Sequence, residues 1–199
     1  MNKTTRTARA AVLGLLALLA CPGTGSAKIA HTDQAGTPES IIRDWPRHAR
    51  NTAMFMLEKY GAPSQFDRKT LVWFNNGAWK KSIVFRSAVA GKGRNLLQQS
   101  IGYLVPDDKV VELKSFNPMI DVSQTAGELT FTSDSEAKNR LALNLADEIV
   151  TGKRTTADAS DFFKKSMRLA ASGKSSEYLD GLMFEVDNTR FMTPTGADQ

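Results

Sequence analysis

Apolar positions along the chain change period several times, and each change marks an element. Ala49, Ala53, Met56, Leu57 and Tyr60 recur at helical spacing. This predicts a helix after residue 44, with Asp44 as N-cap, Pro46 in the first turn and Gly61 as the stop. Two runs rich in branched and aromatic residues follow at 70–74 and 79–86. Between them Asn75-Asn76-Gly77 supplies the positive φ angles of a tight hairpin. Residues 90–93 (AGKG) read as a loop and 95–103 (NLLQQSIGY) as a short helix. The runs 109–116, 119–123 and 128–132 read as a three-strand meander, in which Leu129 and Phe131 alternate with Thr130 and Thr132 as on a half-buried strand.

The period then lengthens. Ala137, Leu141, Leu145 and Ile149 stand at i+4 spacing, predicting a helix over 136–150 capped by Ser135 or Asp134 and ended by Gly152. Thr155 and Asp158 form a T-x-x-D capping box that opens a last helix, with Ala159, Phe162, Phe163 and Met167 inward. Residues 28–40 are small and polar without period, and 28–43 reads as a flexible tether; 174–199 has no clear pattern, and 191–199 reads as a frayed tail. The sum is a single α+β domain over 44–190, an antiparallel sheet of hairpin plus meander packed against several helices.

The first residues change this picture by subtraction. Lys3, Arg6 and Arg9 precede the apolar run AAVLGLLALLA at 10–20, which is too short for the roughly 20 residues of a spanning helix but suits the core of a signal peptide. Gly25-Ser26-Ala27 places small residues for a cut after Ala27. Leu18-Leu19-Ala20-Cys21 reads equally as a lipobox, with Cys21 lipidated as the mature N-terminus and 1–20 removed. The expectation is export to the periplasm, or to a membrane through a lipid anchor at Cys21.

Charge follows from the same subtraction. The formal charge of +5 falls to +2 once Lys3, Arg6 and Arg9 leave with residues 1–27, too little for the phosphate-tracking electrostatics of a nucleic-acid partner. A single Cys and two His offer neither a disulfide framework nor a Cys- or His-rich metal site, so no metal or cofactor is expected.

The stretches WFNNGAWKKSIVFR (73–86), IGYLVPDDKV (101–110) and GELTFTSDSEAKNRLALNLADEIVTGKRT (127–155) resemble a family of uncharacterised exported bacterial proteins, periplasmic or lipoprotein-like, covering most of 45–160. The resemblance implies an exported α+β protein and no particular activity. Relatives carry His just before the Tyr-x-Val-Pro stretch; here 90–100 (AGKGRNLLQQS) has none, so no acid–base or metal role is carried over to those positions.

Candidate chemistry is sparse. His31 falls in the predicted tether and His48 on the first helix as a surface residue, and no G-x-S-x-G elbow is present. The Gly91-Lys92 loop departs from a phosphate loop, because Arg86 stands where the first glycine belongs and Gly93 where Ser or Thr belongs. Asp121 and Glu128 flank the turn at 123–127 and are the one candidate pair for carboxylate catalysis, or else lie on a solvated hairpin face. Trp73, Phe74, Trp79 and Phe85 cluster on one hairpin. If one of Trp73 and Trp79 is spared by the core, it offers a stacking platform with Asn75 or Asn76 beside it; otherwise the hairpin is simply core. The expected role is a non-catalytic cell-envelope protein that binds a partner, an envelope protein or glycan, or a small ligand through an aromatic-rich sheet. The alternative is a cofactor-independent envelope hydrolase using paired carboxylates.

Processing is directly testable. With lipidation, Cys21→Ser abolishes fatty-acid labelling and releases the protein from membranes. A soluble wild-type chain beginning at Lys28 identifies the cut after Ala27 instead.

Overall fold

The computed structural model describes residues 36–88 and 95–186. The fold is mixed α+β, a six-stranded antiparallel open sheet with several helices. Two helices, α1 (Pro38–Ile42) and α2 (Arg47–Tyr60), precede strands β1 (Gln65–Phe66), β2 (Thr70–Asn76), β3 (Trp79–Phe85) and β4 (Leu97–Gly102). A 3-10 turn (Asp107–Lys109) leads into α3 (Val110–Phe116), then β5 (Ile120–Ser123), β6 (Glu128–Ser133), α4 (Glu136–Val150), α5 (Thr156–Ala171) and α6 (Glu177–Asp180). The strand order is β1-β2-β3-β4-β6-β5, so β6 inserts between β4 and its own hairpin partner β5.

Register decides which side chains meet. Leu71 lies opposite Val84, Val84 opposite Leu97, Ile101 opposite Leu129 and Phe131 opposite Ile120, and all are buried on one face. The helices gather their apolar residues on that face in two clusters. In one, Ile42, Trp45, Ala49, Ala53 and Met56 from α1, α2 and the link between them cover Leu71, Trp73, Val84 and Leu97. In the other, Leu113 and Phe116 of α3, Leu141, Leu145 and Ile149 of α4, and Ala159 of α5 cover Ile101, Leu129 and Phe131. The opposite face carries Val72, Phe74, Ile83 and Phe85, half-buried except for the exposed Phe74.

A polar seam runs between the clusters. Asn139 donates from Nδ2 to Gln99 Oε1 at 2.8 Å and accepts from Ser133 Oγ at 2.5 Å; Gln99 Nε2 and Asn76 Nδ2 both donate to Ser82 Oγ, at 3.2 and 3.1 Å. Ser82, Gln99 and Asn139 are completely buried. Each bond therefore offsets a desolvation cost of about 1–3 kcal/mol for a group that would otherwise be left unpaired.

Helices α2, α4 and α5, the β2–β3 hairpin and strands β5 and β6 form where the periodicity places them, and Thr155 caps α5 by accepting from Asp158 N at 3.1 Å. Four expectations are corrected. Residues 95–103 contain β4 and not a helix: Leu97, Gln99 and Ile101 all face inward, and the inward Gln99 hides the alternation. Residues 109–116 are helical, with Leu113 and Phe116 buried at i+3 spacing while Val111 is exposed, so 109–132 holds a helix and a hairpin and no three-strand meander. The predicted tether includes α1, capped by Thr37, and Ile42 and Trp45 are buried in the first cluster. Asp44 is exposed and caps nothing; α2 starts after Pro46 without a side-chain cap.

Helix α4 is buried well beyond the predicted stripe, since Leu143 joins Leu141, Leu145 and Ile149 at 1% exposure or less. Each change to Ala among these four should cost about 2–5 kcal/mol in denaturant unfolding. Leu143, off the stripe, should cost as much as Leu145.

Candidate functional site

The last turn of α2, the start of β3 and the first turn of α4 meet at one carboxylate. Ser135 caps α4 through its own side chain, which accepts from Lys138 N. The next residue, Glu136, is then turned into the protein with 3% of its surface exposed. Its Oε1 accepts from the Tyr60 hydroxyl and from Trp79 Nε1 at 2.7 Å and forms an ion pair with Arg140 at 2.8 Å; its Oε2 accepts from Lys59 Nζ at 2.5 Å. The Lys59 ammonium also lies 5.8 Å from the Phe55 ring centre and 5.1 Å from that of Tyr60.

Burial acts on this carboxyl first and pushes its pKa up. The donors from Lys59, Tyr60 and Trp79 and the charge of Arg140 outweigh it, and the net direction is down from the ordinary 4.5. Tyr60 moves the other way, held above the usual phenol range by burial and by the carboxylate it donates to. A cleft of about 440 Å³ opens above Glu136, walled by Phe55, Lys59, Leu97, Ala137 and Arg140, with Asn51, Thr52 and Asp134 also lining it.

The structure buries both candidate indoles. Trp73 is 2% exposed and donates from Nε1 to the Gly61 carbonyl; Trp79 is 1% exposed and donates to Glu136. Neither offers a stacking face, so the hairpin tryptophans are core. Asn75 takes a positive φ of 51° and is exposed, whereas Asn76 is buried in the seam and the second positive φ falls at Gly77. Pairing of Asn76 with Trp79 leaves Gly77-Ala78 as the two-residue turn.

Asp121 and Glu128 are not brought together. Asp121 lies opposite Thr130 and Ser123 opposite Glu128, so the acids are diagonal on neighbouring strands. Each has its own cations: Asp121, 70% exposed, meets Lys114 at 3.2 Å, and Glu128 meets Lys80 at 2.9 Å and Lys81 at 3.6 Å. His48 is exposed on α2. Cys21, His31 and Lys92 with its neighbouring glycines lie outside the described residues. Among the described residues no group of three or more His, Cys, Asp or Glu side chains is placed to hold a metal ion, and no helix is long and apolar enough to cross a membrane.

Sequence reasoning missed Glu136, Lys59 and Arg140. The available signal was Glu136 and Arg140 at i,i+4, which reads as an ordinary surface pair on a helix. Nothing local marks the hairpin Trp and the α2 Lys-Tyr as their partners. No family model matches this chain, and neither a curated protein nor a solved structure matches it.

The carboxylate cluster predicts a pH signature. A carboxyl whose folded pKa is depressed adds stability above its unfolded value, and loses it as the pH falls through the folded one. Glu136→Gln should therefore destabilise the protein at pH 7, and its deficit against wild type should close as the pH drops below about 4.5. Trp79→Phe removes the donor to a charged acceptor and leaves a void where the larger indole packed, and should cost at least about 1.5–3 kcal/mol at pH 7. Both are read by urea melts at several pH values.

Proposed function

We propose that this chain is an exported cell-envelope protein, freed of residues 1–27 or lipid-anchored at Cys21, that binds a small ligand without transforming it. The binding site in this reading is the cleft between α2 and the start of α4. The observation that carries it is the donor-saturated Glu136 beneath an open, largely apolar cleft. A general acid or base works best with a pKa near the operating pH. Here the cleft carboxyl is held below its ordinary range and the adjoining phenol above its own, which supports binding over proton transfer. A volume of about 440 Å³ is within the range of small-molecule sites. Phe55, 48% exposed on a helix otherwise anchored by Ala49, Ala53 and Met56, supplies an aromatic wall that the fold itself does not use.

The test is a fragment screen on the purified protein, mapped by amide chemical shifts. Hits should move Phe55, Lys59 and Arg140. Phe55→Ala should weaken them severalfold while changing stability by no more than about 0.5 kcal/mol. Hits that map instead to Val72, Phe74, Ile83 and Phe85 would move the site to the uncovered sheet face and end the cleft reading.

A further inference from the structure

The charges around the cleft do not cancel. Lys59 and Arg140 share one carboxylate, Glu136, at 2.5 and 2.8 Å. The second acid of the lining, Asp134, has its own cation in Lys138 at 3.5 Å. Among the described residues neither Lys59 nor Arg140 has another carboxylate within 4.0 Å. One carboxylate cannot neutralise an ammonium and a guanidinium together, so one positive charge is left over at the cleft wall. Donors are left over too. Lys59 gives Glu136 one of its three N–H groups and its side chain is 37% exposed. Arg140 gives one nitrogen to Glu136 and another to the Leu179 carbonyl at 3.4 Å, with 19% of its side chain exposed.

The rest of the cleft is of a different character. Phe55 presents an exposed ring beside the Lys59 ammonium, with Ala137 and the edge of the buried Leu97 in the same lining and Asn51, Thr52 and Ser135 as its uncharged polar members. A ligand matching both parts has one anionic end for the surplus charge and a flat apolar body for the ring. A dianion would bring a second negative charge toward Glu136 and Asp134 with no cation left to meet it. An amine would face Lys59 and Arg140.

From this juxtaposition we propose that the cleft binds a small monocarboxylate bearing an aromatic body, its carboxylate on Lys59 and Arg140 and its ring against Phe55. This rests on the cleft being the ligand site.

Three probes of one shape separate the two claims: phenylacetate, 2-phenylethanol and 2-phenylethylamine, titrated into the purified protein and followed at the amides of Phe55, Lys59 and Arg140. The expected result is saturable shifts with phenylacetate, at least about tenfold tighter than with either analogue. Lys59→Gln removes the charge and keeps a donor for Glu136. It should abolish that preference, bringing the affinity for phenylacetate down to within about twofold of that for 2-phenylethanol on the same variant. Raising the salt on the wild-type protein should erode the same preference and needs no variant to fold. Equal affinity for phenylacetate and 2-phenylethanol, or tighter binding of the amine, would overturn the carboxylate proposal and leave the cleft as a ligand site. No shift at those amides with any of the three would overturn both.

Discussion

Taking the Glu136 carboxylate out of water costs several kcal/mol, and the surrounding fold is arranged to offset it. Three donors and one further cation converge on two oxygens from three separate elements: Lys59 and Tyr60 donate from the end of α2, Trp79 donates from the start of β3, and Arg140 pairs from one turn along α4. The depressed pKa shows which effect wins, since burial alone would have raised it. Much of the surrounding geometry then follows. Trp79 must be buried with its N–H turned toward α4, and so cannot serve as a surface platform. Gly77 lies beside the Tyr60 ring, where an added Cβ would make only an ordinary contact at 3.6 Å, and it is its φ of 69° that favours glycine. Tyr60 packs against both apolar clusters, so the phenol that donates to the carboxylate also joins the two halves of the core.

The polar seam of Asn76, Ser82, Gln99, Asn139 and Ser133 continues the same logic deeper in the sheet. An all-apolar interface between α4 and the strands would tolerate sliding by a turn. Asn139 bonded to Gln99, Ser133 and the Leu97 carbonyl does not, because a shift leaves several buried groups unpaired at once. Glu136 and Asn139, three residues apart on one helix, thus set both the depth and the register of α4 against the sheet.

These buried polar residues are also where sequence reading fails. Periodicity found α2, α4, α5 and the β2–β3 hairpin because their inward positions are apolar: Ala49, Ala53 and Met56, or Leu141 and Leu145. It misread β4 because one of three inward positions is Gln99, and only a partner forty residues away on α4 makes that position an interior one. It misread α3 because Val110-Val111 suggests a strand, whereas the i+3 pair Leu113 and Phe116 decides the packing. The five-residue α1 is too short to show a period, and burial of Ile42 and Trp45 fixes it from outside. Glu136 fails for the same reason as Gln99. An acid at the first position of a helix is favourable on the surface, so its type and place suggest no burial.

The surroundings of Arg140 bear on how prepared the cleft is. Asn144, one turn further along α4, donates to the Tyr178 and Gly181 carbonyls at 3.1 and 2.8 Å and accepts from Met183 N at 2.7 Å. The same segment is held at Tyr178, whose hydroxyl donates to Glu148 while its ring lies 5.0 Å from that of Phe162 on α5. It returns the Leu179 carbonyl to Arg140. The guanidinium is therefore fixed from two sides, by Glu136 and by a strap that α4 itself pins in place. A side chain already ordered loses little entropy when a ligand arrives, and immobilising a free one costs about 0.5–1.5 kcal/mol. Lys59, tied at one oxygen and 37% exposed, is the more open member of the pair. One cation held from two sides and a second, more exposed one beside it form an arrangement suited to holding an anion at a set position, and it arises here from the requirement to keep Glu136 buried.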